Sequence, residues 1–152
     1  MSNRPDKDTY YLKIAESVLE RSTCLRRRYG AVIINNDEIV STGYNGAPRG
    51  EKNCVDCGYC YREANNIPKG ERYEACVSVH AEQNAIISAS RKETLGGTIY
   101  IVGKEKDNSY ADGTPCLICS RMIKNAGIEN VIYLDKKGNI QTVKAKDLKI
   151  VQ

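Results

Sequence analysis

No tryptophan, no phenylalanine and only one histidine, His80, occur in this sequence. Ten tyrosines supply all of its aromatic bulk, and no metal site in it can draw on two imidazoles. No apolar run approaches the roughly 20 residues needed to cross a bilayer, so no membrane partner is expected. The first residues, Met1–Tyr11, are polar and lack the apolar stretch of a signal peptide, which makes the cytoplasm the expected compartment. No repeat, low-complexity tract or linker interrupts the 152 residues, so a single domain over 1–152 is expected.

Neither sign of charge dominates. The 23 Lys and Arg against 19 Asp and Glu leave a net charge of +4, which suits an anionic substrate but gives no ground for a nucleic-acid partner. The composition, 41% hydrophobic and 28% charged, is ordinary for a globular protein. A domain of this length buries about 70% of its unfolded surface and needs no disulfides to hold a core. The seven cysteines are then the anomaly. An odd number in a reducing compartment argues against a disulfide framework and towards metal or catalytic use.

Asp8 is placed to cap a first helix running to about Ser22, with Tyr11, Ile14, Ala15, Val18 and Leu19 as its apolar face. The basic run Arg26-Arg27-Arg28 follows. Ala31–Ile34 and Ile39–Thr42 read as strands joined in a hairpin through Asn35–Glu38. Residues 49 to 75 show no period and hold three cysteines; a stretch so long without structure of its own points to function or metal binding. A helix over about Val79–Ser90, a buried strand over Thr98–Val102, a polar loop over Lys104–Gly113 and a helix from Cys116 to about Ala126 come next. Gly127 stops that last helix. Val131–Leu134 is another strand, and the tail offers a Lys-Gly-Asn turn with two weak strand or helix pieces. The alternation suggests an α/β layered fold around a mixed sheet.

Two short stretches carry the chemistry. Thr114-Pro115-Cys116-Leu117-Ile118-Cys119 puts two cysteines three apart at a helix start, where both sulfurs can face one ion and the positive helix end favours the thiolate. Pro115 suits that opening. Val79-His80-Ala81-Glu82 offers an imidazole at another helix start. Three protein ligands rather than four is the pattern of a catalytic zinc with a position left for water. Glu82 lies two residues from His80, off its helical face, which favours a general acid/base over a ligand. Each stretch alone has a plain reading: half a structural zinc site or a redox pair for the cysteines, a polar residue near a helix start for the histidine. Together, His-x-Glu followed by Pro-Cys-x-x-Cys is the signature of zinc deaminases.

On these stretches the sequence resembles the cytidine and deoxycytidylate deaminase superfamily. Arg21–Cys24 leading into Tyr29–Ile33, Gly43-Tyr44-Asn45-Gly46-Ala47-Pro48-Arg49-Gly50, His80–Ala85, and Asn125–Ile128 after the second motif extend the likeness over about residues 8 to 135. The Gly-Tyr-Asn-Gly-x-Pro-x-Gly stretch resembles the deoxycytidylate (dCMP) deaminases, including bacterial members encoded in competence operons. The resemblance implies a three-layer α/β/α cytidine-deaminase-like fold with a central mixed five-stranded sheet. It implies a homo-oligomer, commonly a hexamer, and zinc-dependent hydrolysis of dCMP to dUMP and ammonia for thymidylate synthesis. It also implies dCTP and dTTP effectors, with Mg2+ accompanying the triphosphate, at a site involving Gly43, Tyr44 and Gly46. Asn45 resembles the family's substrate asparagine, though flanking glycines also suit a turn asparagine; Ala81 belongs to the same substrate-binding set. Arg26, Arg27 or Arg28 suits the 5′-phosphate, a solvated basic run being the plain alternative. Tyr133 is placed to line the pocket or to fill the core. Some family members carry a second, structural zinc at positions matching Cys24 and Cys54. Here Cys24, Cys54, Cys60 and Cys76 are the favoured ligands, with Cys57 as alternate and plain buried thiols as the other reading. A tRNA adenosine deaminase, a free cytidine deaminase and a zinc-stabilised single-strand-binding module remain as rival readings.

Overall fold

The computed structural model describes residues 3–152. The chain runs α1 (Lys7–Leu19), β1 (Arg28–Asn35), β2 (Glu38–Tyr44), α2 (Cys54–Cys57), α3 (Tyr61–Ala64), α4 (Ala81–Ile87), α5 (Arg91–Thr94), β3 (Thr98–Lys104), β4 (Tyr110–Ala111), α6 (Leu117–Asn125), β5 (Asn130–Leu134) and β6 (Ile140–Lys144). Five strands form one sheet in the order β2-β1-β3-β5-β6, and the two-residue β4 pairs with β3 as a sixth. The β3–β5 pair is parallel and every other pair antiparallel. The sheet is therefore mixed, as expected, with one short strand added inside the predicted polar loop.

Strand periodicity sorts the core into two layers. Side chains alternate across a strand, so Ala31 and Ile33 of β1 with Ile99 and Ile101 of β3 face one way, where Ala81, Ala85 and Ile123 of α4 and α6 cover them. Val32, Ile34, Tyr100 and Val102 face the other way, under Tyr11, Leu12, Ala15 and Leu19 of α1. The central strands are apolar on both faces because helices lie on both. This is the three-layer α/β/α arrangement.

Several boundaries differ from the sequence reading, each for a local reason. Asp6, not Asp8, caps α1, accepting from the Thr9 amide at 2.8 Å; Asp8 instead accepts from the Tyr100 hydroxyl at 2.7 Å. The helix ends at Leu19 rather than Ser22, and the Ser22 hydroxyl turns to Asn45 at 2.6 Å. The expected helix over 79–90 is α4 alone. Ser90-Arg-Lys-Glu93 is a capping box, with Ser90 accepting from Glu93 N and Glu93 accepting from Ser90 N, and it starts α5 afresh. Gly127, at φ +78, stops α6 as predicted. The tail completes the sheet as β6, after a turn in which Asp135 accepts from the Lys137 and Asn139 amides. Among the described residues no helix is long and apolar enough to cross a membrane.

Candidate active site

Two helix starts converge on one point. His80 is the N-cap of α4, extended at φ −72, ψ 156, with its own amide donating to the Gln83 side chain at 2.8 Å. His80 stands at the helix start, as expected, although the helix begins at Ala81 rather than at Val79. The cap conformation leaves the ring free to turn away from the helix axis. Cys116 is the N-cap of α6, its sulfur accepting from the Cys119 amide at 3.4 Å, and Cys119 sits buried in the first turn. His80 Nδ1 lies 3.5 Å from Cys116 Sγ and 3.3 Å from Cys119 Sγ, and the three ligand atoms all lie within 4.8 Å of one another. A tetrahedral zinc with bonds of about 2.3 Å to sulfur and 2.0 Å to nitrogen places sulfur and nitrogen about 3.5 Å apart. The donors and their spacing fit zinc. Among the described residues no other three His, Cys, Asp or Glu gather this closely.

The electrostatics of the trio agree with a cation site. The Cys119 thiol donates to Cys116 and, with help from His80 and against burial, draws the Cys116 thiol down to about 4. The same hydrogen bond, reinforced by burial, pushes Cys119 up. The Cys116 sulfur thus draws protons from both a thiol and an imidazole, which a metal ion would displace.

Glu82 stands beside this trio at 7% exposure. Burial is the main influence and raises its carboxyl above the usual range; its own backbone amide and then His80 oppose it. A carboxyl raised by burial holds a proton more readily than an exposed one, which suits acid/base work. Both His80 and Glu82 open onto a cavity of about 340 Å³, within the range of small-molecule sites.

The cavity wall gathers part of the expected substrate set. Asn45, 7% exposed, lines it. Its Oδ1 accepts from the Ser22 hydroxyl at 2.6 Å and the Tyr29 amide at 2.9 Å, and its Nδ2 donates to the Arg27 carbonyl at 2.9 Å. One amide N–H stays uncommitted. Asn45 thus ties the 22–29 turn to the end of β2 from a place on the cavity wall. Ala81 also lines the wall. Arg26 and Arg27 reach it too, but Arg26 pairs with Glu63 at 3.7 Å and Arg27 with Glu105 at 2.8 Å. Arg28 lies outside the wall, at the head of β1, donating to Asn108. Tyr133 packs against the core.

Sequence reasoning missed Arg62, Lys69, Tyr73, Ser78 and Asp112, all on the cavity wall. Four of the five fall in or just after the aperiodic 49–75 stretch. Tyr73 sets its ring edge-on to His80, with centroids 5.4 Å apart. The Ser78 hydroxyl is buried without a hydrogen-bond partner among the described residues. No periodic or spacing signal marks these positions.

The remaining cysteines share a neighbourhood without closing into a ligand set. The Cys54 thiol is pushed up by burial first, then by Cys24, Cys60, Cys76 and Cys57. Cys24 Sγ accepts from the Arg26 amide and Cys76 Sγ from the Ser78 amide, each at 3.4 Å. Cys60 is buried and Cys57 exposed. Gly43, Tyr44 and Gly46 border a separate groove of about 580 Å³ behind β2, which Arg49 and Asn84 also line. Gly43 has a packing duty there: a Cβ on it would lie 2.3 Å from the Ala81 carbonyl oxygen and 2.4 Å from the Ala85 nitrogen.

Comparison with known proteins places this geometry. Residues 5–135 match the family model of the cytidine and deoxycytidylate deaminase zinc-binding region. The deoxycytidylate deaminase of Mycobacterium phage D29 is 37% identical over 135 residues, covering 86% of this chain and 96% of that one. The deoxycytidylate deaminase of Schizosaccharomyces pombe is 37% identical over 130 residues, covering 86% of this chain but 37% of its own; the chain thus spans little more than a third of that relative. The crystal structure of dCMP deaminase from cyanophage S-TIM5 in complex with dCMP and dUMP superposes with a TM-score of 0.62 at 28% identity, over 88% of this chain and 85% of the other. With its His/Cys/Cys cluster at zinc spacing, this chain belongs to the cytidine and deoxycytidylate deaminase family.

Proposed function

We propose that this chain hydrolyses dCMP to dUMP and ammonia, with residues 1–152 working as one deaminase domain. The observation that carries the reading is the triangle of His80, Cys116 and Cys119 at zinc spacing, beside a buried carboxyl at the floor of a nucleotide-sized cavity. His80, Cys116 and Cys119 would hold zinc, which would supply the Lewis acidity that makes hydroxide available from water near neutral pH. Glu82 takes a proton from the attacking water and delivers it to N3 of the pyrimidine, which makes C4 electrophilic. After attack at C4, Glu82 takes the proton of the new C4 hydroxyl and passes it to the amino group, which leaves as ammonia as the C4 carbonyl forms. Asn45 offers its remaining N–H to the substrate, and the Ala81 backbone lies within the same wall. Tyr73, edge-on to His80 in the same wall, limits how the ring can turn.

The dCMP named and bound in the relatives supports that substrate over free cytidine or a tRNA stem-loop. Four further parts of the reading rest on the family likeness. Cys24, Cys54, Cys60 and Cys76, with Cys57 as alternate, hold a second zinc that orders the 49–76 stretch. Gly43, Tyr44 and Gly46 border a groove for a dCTP or dTTP effector with Mg2+. The chain assembles as a homo-oligomer, a hexamer. It works in the cytoplasm. Ammonia release from dCMP, deoxycytidine and a tRNA stem-loop, with and without dCTP and Mg2+, tests the reading. Release from dCMP foremost is the expected result; release from the stem-loop alone would overturn it.

A further inference from the structure

The cavity wall holds four cations: Arg26, Arg27, Arg62 and Lys69. Three are already spent. Arg26 and Arg27 face carboxylates, as described. Arg62, at 5% exposure, spends its guanidinium on backbone: Nη1 donates to the Glu71 carbonyl at 2.6 Å and the Arg72 carbonyl at 2.7 Å, and Nη2 to the Pro68 carbonyl at 2.8 Å. Its plane lies 5.3 Å from the Tyr73 ring centroid. Among the described residues nothing pairs with Lys69.

The local backbone explains how Lys69 is held. Pro68-Lys69-Gly70-Glu71 is a tight turn, closed by the Glu71 amide on the Pro68 carbonyl at 3.3 Å, with Gly70 at φ +84. A left-handed glycine at the third position suits such a turn. Arg62 grips the turn at both ends, so its tip, Lys69-Gly70, is fixed at the cavity rim. The cavity's other polar loose end, the Ser78 hydroxyl, is buried without a partner. The carboxylate of Asp112 is committed to the Thr114 amide at 3.0 Å and hydroxyl at 2.8 Å.

We propose that Lys69 recognises the 5′-phosphate of the substrate and so selects a mononucleotide over a free nucleoside, with Arg62 as the positioning residue that fixes its turn. The proposal rests on the dCMP reading above and replaces the arginine run as the phosphate contact. An ammonium on a rim turn meets a dianion while staying hydrated, which sets the size of the effect. A hydrogen bond to a charged group at an exposed site contributes about tenfold in binding.

The test compares the zinc-loaded wild type with Lys69→Met and Lys69→Arg. Lys69→Met should raise KM for dCMP about tenfold with kcat little changed, the mark of a contact made equally in ground and transition states. Lys69→Arg should restore most of the loss. By calorimetry, the preference for dUMP over deoxyuridine should shrink by about the same tenfold, and added salt should weaken dUMP binding less in the variant. Arg62→Met should reproduce the lost dUMP preference, because the turn is no longer pinned. A KM within twofold of wild type, or equal weakening of dUMP and deoxyuridine, would overturn the role of Lys69. Wild-type protein that releases no ammonia from dCMP would overturn the functional reading instead; the dUMP and deoxyuridine titrations judge Lys69 without turnover.

Discussion

Replacing Gly43 by alanine perturbs the site without touching a single catalytic atom. The added methyl would stand 2.3 Å from the Ala81 carbonyl oxygen and 2.4 Å from the Ala85 nitrogen. Both are backbone atoms of α4, so no side chain can swing aside. Reaching an ordinary contact near about 3.4 Å requires β2 and α4 to part by about 1 Å. That displacement moves His80 and Glu82 together, because one caps and the other opens the first turn of α4. Overpacking of this kind costs about 1–3 kcal/mol, and at this chain length each kcal/mol shifts Tm by about 2–4 °C. Tm of the zinc-loaded protein should fall by between about 2 and 12 °C. An ångström of misplacement at a reacting centre can cost about 10²-fold, so kcat/KM for dCMP should fall by about that factor, with or without dCTP. Scanning calorimetry and an ammonia-release assay read both quantities. A Gly43→Ala protein with wild-type Tm and wild-type basal turnover would refute the packing argument and leave Gly43 only an effector contact.

Further outcomes follow from individual contacts. Asn45→Ala removes three hydrogen bonds that tie the 22–29 turn to β2, and should lower stability by about 1–3 kcal/mol as well as weakening dCMP binding; urea unfolding and KM measure the two. Asp6→Ala should cost about 1 kcal/mol through loss of the α1 cap and leave turnover unchanged, whereas Asp8→Ala, which is not the cap, should not cost helix stability by that route. Cys24→Ser should lower zinc content by about one per chain while the catalytic zinc stays; a wild-type zinc count of one per chain would remove the second site.

The catalytic centre was legible because its signals are local. His80, Cys116 and Cys119 are set by the starts of two short helices, and each start carries its own marks, Pro115 before one and the i+3 cysteine spacing within it. The sheet was legible because β1 and β3 are buried on both faces and read as continuous apolar runs. The opposite wall of the cavity was not. Arg62 acts through three carbonyls six to ten residues ahead of it, a contact with no sequence period, and Lys69 is singled out only by what its neighbours are already bonded to. Nor could the sequence show that Arg26 and Arg27 pair with Glu63 and Glu105, which are distant in the chain. Asp8 passed for the cap because capping preference does not distinguish two aspartates when one is claimed by Tyr100 of β3, on the sheet face beneath the helix.

The most direct measurement is zinc content together with ammonia release from dCMP in Glu82→Gln. Each proton transfer contributes about 10²–10⁴-fold, so the variant should keep the wild-type zinc count and lose nearly all turnover, whereas Cys116→Ala should lose the metal itself. A Glu82→Gln protein that deaminates dCMP at the wild-type rate would contradict the role of this buried carboxyl.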